Sequence, residues 1–128
     1  IRVPGYKPGQ EKATRIELRC PDPACNPYLA FSVMLAAGLE GIQSECDIPA
    51  PSEDNVYKMG EAERERRGIG SLPGNLWDAV KLTQNSDLVR KALGDHVFDS
   101  FIENKIIECK LYQQQVTEYE LKRYLPIY

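Results

Sequence analysis

Arg15-Ile-Glu-Leu-Arg-Cys-Pro-Asp-Pro-Ala-Cys-Asn-Pro-Tyr28, continuing into Leu-Ala-Phe-Ser-Val-Met-Leu-Ala-Ala-Gly-Leu39, decides how the chain is read, because its pattern changes period in the middle. With a period of two, Arg15, Glu17 and Arg19 share one face of a strand, and Ile16, Leu18 and Cys20 share the other. One face is apolar and the other runs cation, anion, cation. Two guanidinium forks flanking one carboxylate suit an anionic group bridged to a hard divalent cation, as well as a plain surface ion-pair ladder. Pro21-Asp-Pro23 ends the strand, and Asn26-Pro27 opens a helix with a capping side chain and a proline at the first turn. From Tyr28 to Leu39 almost every residue is apolar, which predicts a helix buried on all sides as the spine of the core.

Upstream, Ile1–Val3 reads as an edge strand stopped by Pro4, and Gly5 to Gly9 as a turn. A hairpin with the strand Thr14–Cys20 follows, and it would bring Arg2 and Lys12 near the charged face. The opening Ile1-Arg-Val-Pro4 reads as a strand already under way, an expectation that the chain is a piece of a longer polypeptide.

Downstream, Gly41 to Asp54 reads as a loop, Asn55 to Gly60 as an exposed segment carrying Tyr57, and Glu61 to Arg67 as a polar, solvated helix ending at Gly68. Asn75 with Asp78 caps a helix bearing Leu76, Ala79, Val80 and Thr83, and Ser86 caps a second with Leu88, Val89, Ala92 and Leu93 inward, closed by Gly94. Trp77 is expected in the core. Asp95 is expected to cap the longest helix, whose apolar positions are Val97, Phe98, Phe101, Ile102, Ile106, Cys109 and Val116. His96 reads as a helix-end residue. Thr117 and Glu120 spell a capping box for a last helix, Glu118 to Tyr124, and the apolar, aromatic end Tyr124–Tyr128 suggests docking of Glu118–Tyr128 on another subunit.

A length of 128 residues and 42% hydrophobic content fit one domain. A net charge of −3 without a basic block argues against a nucleic-acid surface. No apolar run reaches the roughly 20 residues of a membrane span, and no signal peptide is read, so the expectation is a cytoplasmic protein with neither membrane nor nucleic-acid partners. Cys20, Cys25, Cys46 and Cys109 form no C-x-x-C pair and read as reduced thiols rather than zinc ligands.

Lys12, Arg15-Ile-Glu-Leu-Arg19, Pro21-Asp-Pro23, Asn26-Pro-Tyr-Leu29, Met34-Leu-Ala-Ala-Gly-Leu-Glu-Gly-Ile42, Asn55-Val-Tyr57, Ser71-Leu-Pro-Gly-Asn-Leu76 and Glu120-Leu-Lys-Arg-Tyr124, in that order, resemble the C-terminal part of the catalytic domain of bacterial and archaeal glutamine synthetases. The resemblance covers residues 1–128, with active-site strands in 1–20 and a helical part in 21–128. It implies an ATP-dependent glutamate–ammonia ligase acting through γ-glutamyl phosphate, with Mg2+ or Mn2+, assembled as a homo-dodecamer of two rings. By motif position, Glu17 resembles a metal ligand, Arg19 the residue holding glutamate and the transferred phosphoryl group, and Arg2, Lys12 and Arg15 contacts to ATP. Tyr57 stands where some members carry an adenylylated tyrosine, although its neighbours Val56 and Lys58-Met-Gly60 differ from theirs. A paralogous ligase of glutamate with another amine, and a non-catalytic helical assembly domain, remain as alternatives. One carboxylate is too few for a divalent site, so the chain by itself is expected to be inactive. The fold class expected is α+β and predominantly helical: a short N-terminal β-hairpin, a buried central helix, and four or five further helices.

Overall fold

In the computed structural model, residues 1–127 are described; Tyr128, the last residue of the expected docking segment, lies outside them. Six α-helices account for most of the regular structure: α1 (Pro27–Gln43), α2 (Glu61–Arg66), α3 (Leu76–Gln84), α4 (Asp87–Leu93), α5 (Asp95–Gln113) and α6 (Glu118–Tyr124). Short 3₁₀ turns occupy Glu11–Ala13, Val56–Lys58 and Leu125–Ile127. Helix starts are set by local chemistry. The Asn26 side chain accepts from the amides of Tyr28 and Leu29 with Pro27 behind it, Asn75 accepts from Asp78, and Ser86 accepts from Val89. Thr117 and Glu120 close the reciprocal capping box.

The core lies on α5. Phe98, Ile102 and Cys109 are buried there together with Val80 of α3, and Val89, Leu93, Phe101 and Ile106 pack against them. Helices α3 and α4 both pack on α5, and α1 packs on α4. Gly94 lets α4 turn into α5 within one residue, using a φ of 75° that a side chain would resist. Arg90 fastens the same corner: its guanidinium lies 4.1 Å from the centre of the Phe98 ring and pairs with Asp95 at 2.9 Å and Asp99 at 3.0 Å.

Several expectations are corrected. The N-terminal hairpin is not formed; among the described residues its trace is one isolated antiparallel bridge between Arg2 and Glu17. Two strands with prolines and glycines between them, and no third strand among the described residues to share their apolar face, are too few to be stable alone. Ile16, meant for that face, is accordingly exposed.

The central helix α1 is not buried. None of its seventeen residues is, because α4 covers one side and a helix apolar all round needs cover on every side. The role of spine passes to α5. Trp77 is 37% exposed, with the Lys81 ammonium 5.6 Å from its ring centre. Val97 and Val116 face outward, and Asp95 is the first residue of α5 rather than its cap, which is Gly94 with no side-chain bond. No described helix is long and apolar enough to cross a membrane.

Candidate functional site

The N-terminal segment makes few hydrophobic contacts, yet its charged residues converge. Arg2 and Glu17 exchange both backbone hydrogen bonds, Arg2 N to Glu17 O at 2.9 Å and Glu17 N to Arg2 O at 2.8 Å. Residues paired in this way lie directly opposite each other and present their side chains on one face. Arg2 Nη1 accordingly reaches both carboxylate oxygens of Glu17, at 3.0 and 3.2 Å.

The two neighbours on that face complete the cluster. Arg15 Nη2 donates to Glu17 Oε1 at 3.0 Å, while its Nη1 donates to the carbonyl of Ala13 at 3.2 Å. Arg19 donates through Nη2 and Nε to Glu17 Oε2, at 2.7 and 3.1 Å. The period-two reading of 15, 17 and 19 therefore holds as a side-chain arrangement although the strand does not form.

Three guanidinium groups around one carboxylate leave an excess of positive charge. The side chains of Arg2, Arg15 and Arg19 are more than half exposed and that of Glu17 is 20% exposed, so the carboxylate sits beneath a layer of cations facing outward. Hydrogen bonds from Arg2 first, and then Arg19, hold the Glu17 pKa down at about 2, against the cost of desolvation. At neutral pH the residue is an anion. Each arginine carries five N–H donors, more than Glu17 takes up, and the surplus forks can meet a phosphate or carboxylate.

The other candidates stand apart. Lys12 lies in the 3₁₀ turn Glu11–Ala13 and makes no hydrogen bond or ion pair with the described residues, while Tyr6 and Gly9 brace that turn through Glu11. Tyr57 lies in the turn Val56–Lys58, where Asn55 caps its backbone amide, and its side chain is fully exposed. Asp54 and Glu63 both hold Arg67, each at 2.6 Å, drawing together the two ends of the segment that carries Tyr57. His96 is exposed at the start of α5, and the four cysteines are free thiols.

Among the described residues no three His, Cys, Asp or Glu side chains are grouped to hold a metal ion. Glu17 offers a single carboxylate whose two oxygens are already bonded to arginines. The set fits an anion well; for a divalent cation it supplies one ligand of about six.

Of Lys12 and Arg2, both expected near the charged face, the one bonded to it is Arg2. Its alternation with Val3 ahead of Pro4 carried the signal, but the bridge register that places it opposite Glu17 is not written in the local sequence.

A family model described as "Glutamine synthetase, catalytic domain" matches residues 1–124. Among curated proteins the chain is 48% identical over 127 residues to a glutamine synthetase of Methanococcus voltae, covering 99% of this chain and 28% of that relative. It is 46% identical over 127 residues to one of Mycolicibacterium smegmatis, with 99% and 28% covered, and 48% identical over 125 residues to one of Methanosarcina mazei, with 98% and 27% covered. The chain thus spans little more than a quarter of the length of these relatives, and matches their C-terminal part.

Proposed function

We propose, on the premise that this chain belongs to the glutamine synthetase catalytic-domain family, that it supplies the phosphate-gripping face of an ATP-dependent glutamate–ammonia ligase. The observation that carries the reading is the convergence of Arg2, Arg15 and Arg19 on Glu17.

The reaction proposed has two steps. The γ-carboxylate of glutamate takes the terminal phosphoryl group of ATP, releasing ADP; ammonia then attacks the acyl carbon, phosphate leaves, and the nitrogen gives up a proton. Both steps spread negative charge over phosphoryl oxygens, so catalysis consists mainly of positioning and charge neutralisation. Arg19 is assigned to glutamate and the transferring phosphoryl group, and Arg2, Lys12 and Arg15 to the other phosphates of ATP. A guanidinium fork binds two oxygens at once and so fixes orientation as well as charge; Lys12 acts as a point charge.

Glu17 has two duties in this reading. It holds the forks in place before substrate arrives, and it contributes one carboxylate to a magnesium or manganese ion. That ion, once bound, would neutralise phosphate oxygens. Because this chain gives one ligand, no step is routed through the ion, and the chain alone is expected to turn nothing over.

The exposed free thiols of Cys20, Cys25 and Cys46 favour a reducing cytoplasm, where ATP is also at hand. The exposed apolar residues Leu121, Tyr124, Leu125 and Ile127 favour subunit assembly, with a dodecamer as the family's form. Tyr57, projecting into solvent, is open to a modifying enzyme.

The test joins this chain to the relative it resembles. A chimera in which these 128 residues replace the matching C-terminal part of the Methanococcus voltae protein should release phosphate from ATP only with glutamate and ammonia present. The 128-residue chain alone should match its Glu17→Ala control at background. A folded chimera without glutamate-dependent phosphate release would refute the assignment, as would a polyamine serving in place of ammonia.

A further inference from the structure

Tyr57 lies in a segment that carries its own order. Among the described residues the helix pairs that pack closely are α1 with α4, α3 with α5 and α4 with α5, and α2 does not share in that packing. What holds the chain around α2 is therefore local. Asn55 caps the turn Val56–Lys58 by accepting from the Tyr57 amide at 3.1 Å, and the Met59 amide donates to the carbonyl of Val56 at 3.2 Å. Val56 and Met59 are half-buried, while Tyr57 between them is fully exposed.

The far end of the segment is fixed by the way α2 stops. Gly68, at a φ of 66°, donates its amide to the carbonyl of Glu65 at 3.0 Å, and Ile69 donates to that of Arg64 at 2.9 Å. This crossed pair of bonds around a left-handed glycine closes the helix and sets the backbone of Arg67 at its end. From there Arg67 Nη1 reaches back thirteen residues to Asp54 Oδ2, at 2.6 Å, while its Nε stays on Glu63 Oε1, also at 2.6 Å. Among the described residues the bond to Asp54 is the one hydrogen bond that joins the two ends of the segment. Arg66 donates to Glu63 as well but does not reach Asp54.

A latched segment suits a side chain that must enter another protein's cleft. A tyrosine on a free loop gives up the freedom of that loop on binding, whereas on a latched one the cost is already met. Asp54 adjoins Asn55, the cap of the Tyr57 turn, so holding Asp54 orients the cap and the turn with it.

We propose that Arg67 is a positioning residue for Tyr57: its bond to Asp54 latches the segment and holds the phenol out in one orientation for a tyrosine-modifying transferase. The inference rests on the reading of Tyr57 as open to a modifying enzyme. In the reaction served, the phenol oxygen bonds to the α-phosphorus of ATP, the bond to pyrophosphate breaks, and the phenolic proton passes to a base of the transferase.

Two measurements test it. In the 128-residue chain the heteronuclear NOE of the Tyr57 amide should be that of ordered backbone, and Arg67→Ala, Asp54→Ala and the double substitution should each lower it to the same extent. Arg66→Ala, which takes an arginine from Glu63 but none from Asp54, should leave it unchanged. With the chimera as substrate, an adenylyltransferase that modifies glutamine synthetases should add AMP from ATP to the parent and none to Tyr57→Phe. Arg67→Ala and Asp54→Ala should raise the KM for the chimera about two- to fivefold at unchanged kcat, the range of an exposed ion pair. A Tyr57 amide as ordered without Arg67 as with it, an Arg66→Ala effect equal to that of Arg67→Ala, or an unchanged KM would overturn the latch. A chimera that takes up no AMP, while Arg67→Ala still loosens the Tyr57 amide, removes the modification reading and leaves the latch in place.

Discussion

At Glu17 the balance of charge determines behaviour. Its carboxyl pKa is depressed to about 2, so the contacts that depend on its charge are fully present above the ordinary value near 4.5 and are lost as pH falls toward 2. A carboxyl NMR titration should find the Glu17 midpoint at about 2 in the folded chain, whereas a midpoint in the ordinary range would mean that the arginines do not hold it. Arg2 is the largest cause of the shift, so Arg2→Ala should move that midpoint back toward the usual carboxylate range. Arg15→Ala should move it less, since the leading hydrogen bonds come from Arg2 and Arg19. The shared face of 15, 17 and 19 was legible from alternation alone. Arg2 was expected near this face, but its place directly opposite Glu17 was not legible, because a bridge spanning fifteen residues depends on register rather than on local pattern.

Among the helices, local signals and tertiary ones separate cleanly. Caps are written within four residues, and Asn26, Asn75, Ser86 and the Thr117–Glu120 box all act as their letters imply. Asn26→Ala should destabilise the first turn of α1 by about 1 kcal/mol, seen as faster exchange of the Tyr28 and Leu29 amides. Burial is a property of neighbours, and there the sequence misled: the most apolar helix, α1, is covered on one side only and buries no residue, and the more polar α5 carries the core. Phe98, 1% exposed beneath Arg90, should therefore matter far more than Phe31, which is 67% exposed. Urea unfolding of the chain should show Phe98→Ala losing about 3–5 kcal/mol and Phe31→Ala losing no more than about 0.5 kcal/mol. Equal losses would place the core elsewhere.

On the scale of the molecule, four hydrophobic side chains are buried among the described residues, and long rows of apolar surface stay open. A helical body anchored on α5 is preceded in the chain by a charged cluster with one bridge of sheet and followed by the apolar turn after α6. With so little of the chain buried, the order of motifs identifies the family better than the packing does. The most direct check on the proposed role of the arginine–glutamate cluster is kcat for phosphate release by the chimera, comparing Glu17→Gln and Arg19→Lys with Lys91→Ala, an exposed substitution on α4. Losing one donor aimed at developing transition-state charge costs about 10²–10³ in kcat; Arg19→Lys removes the fork and Glu17→Gln removes the charge that holds the three forks, so each should fall at least hundredfold while Lys91→Ala keeps the parental rate. Parental turnover in the Glu17 and Arg19 variants would contradict the role assigned to the cluster.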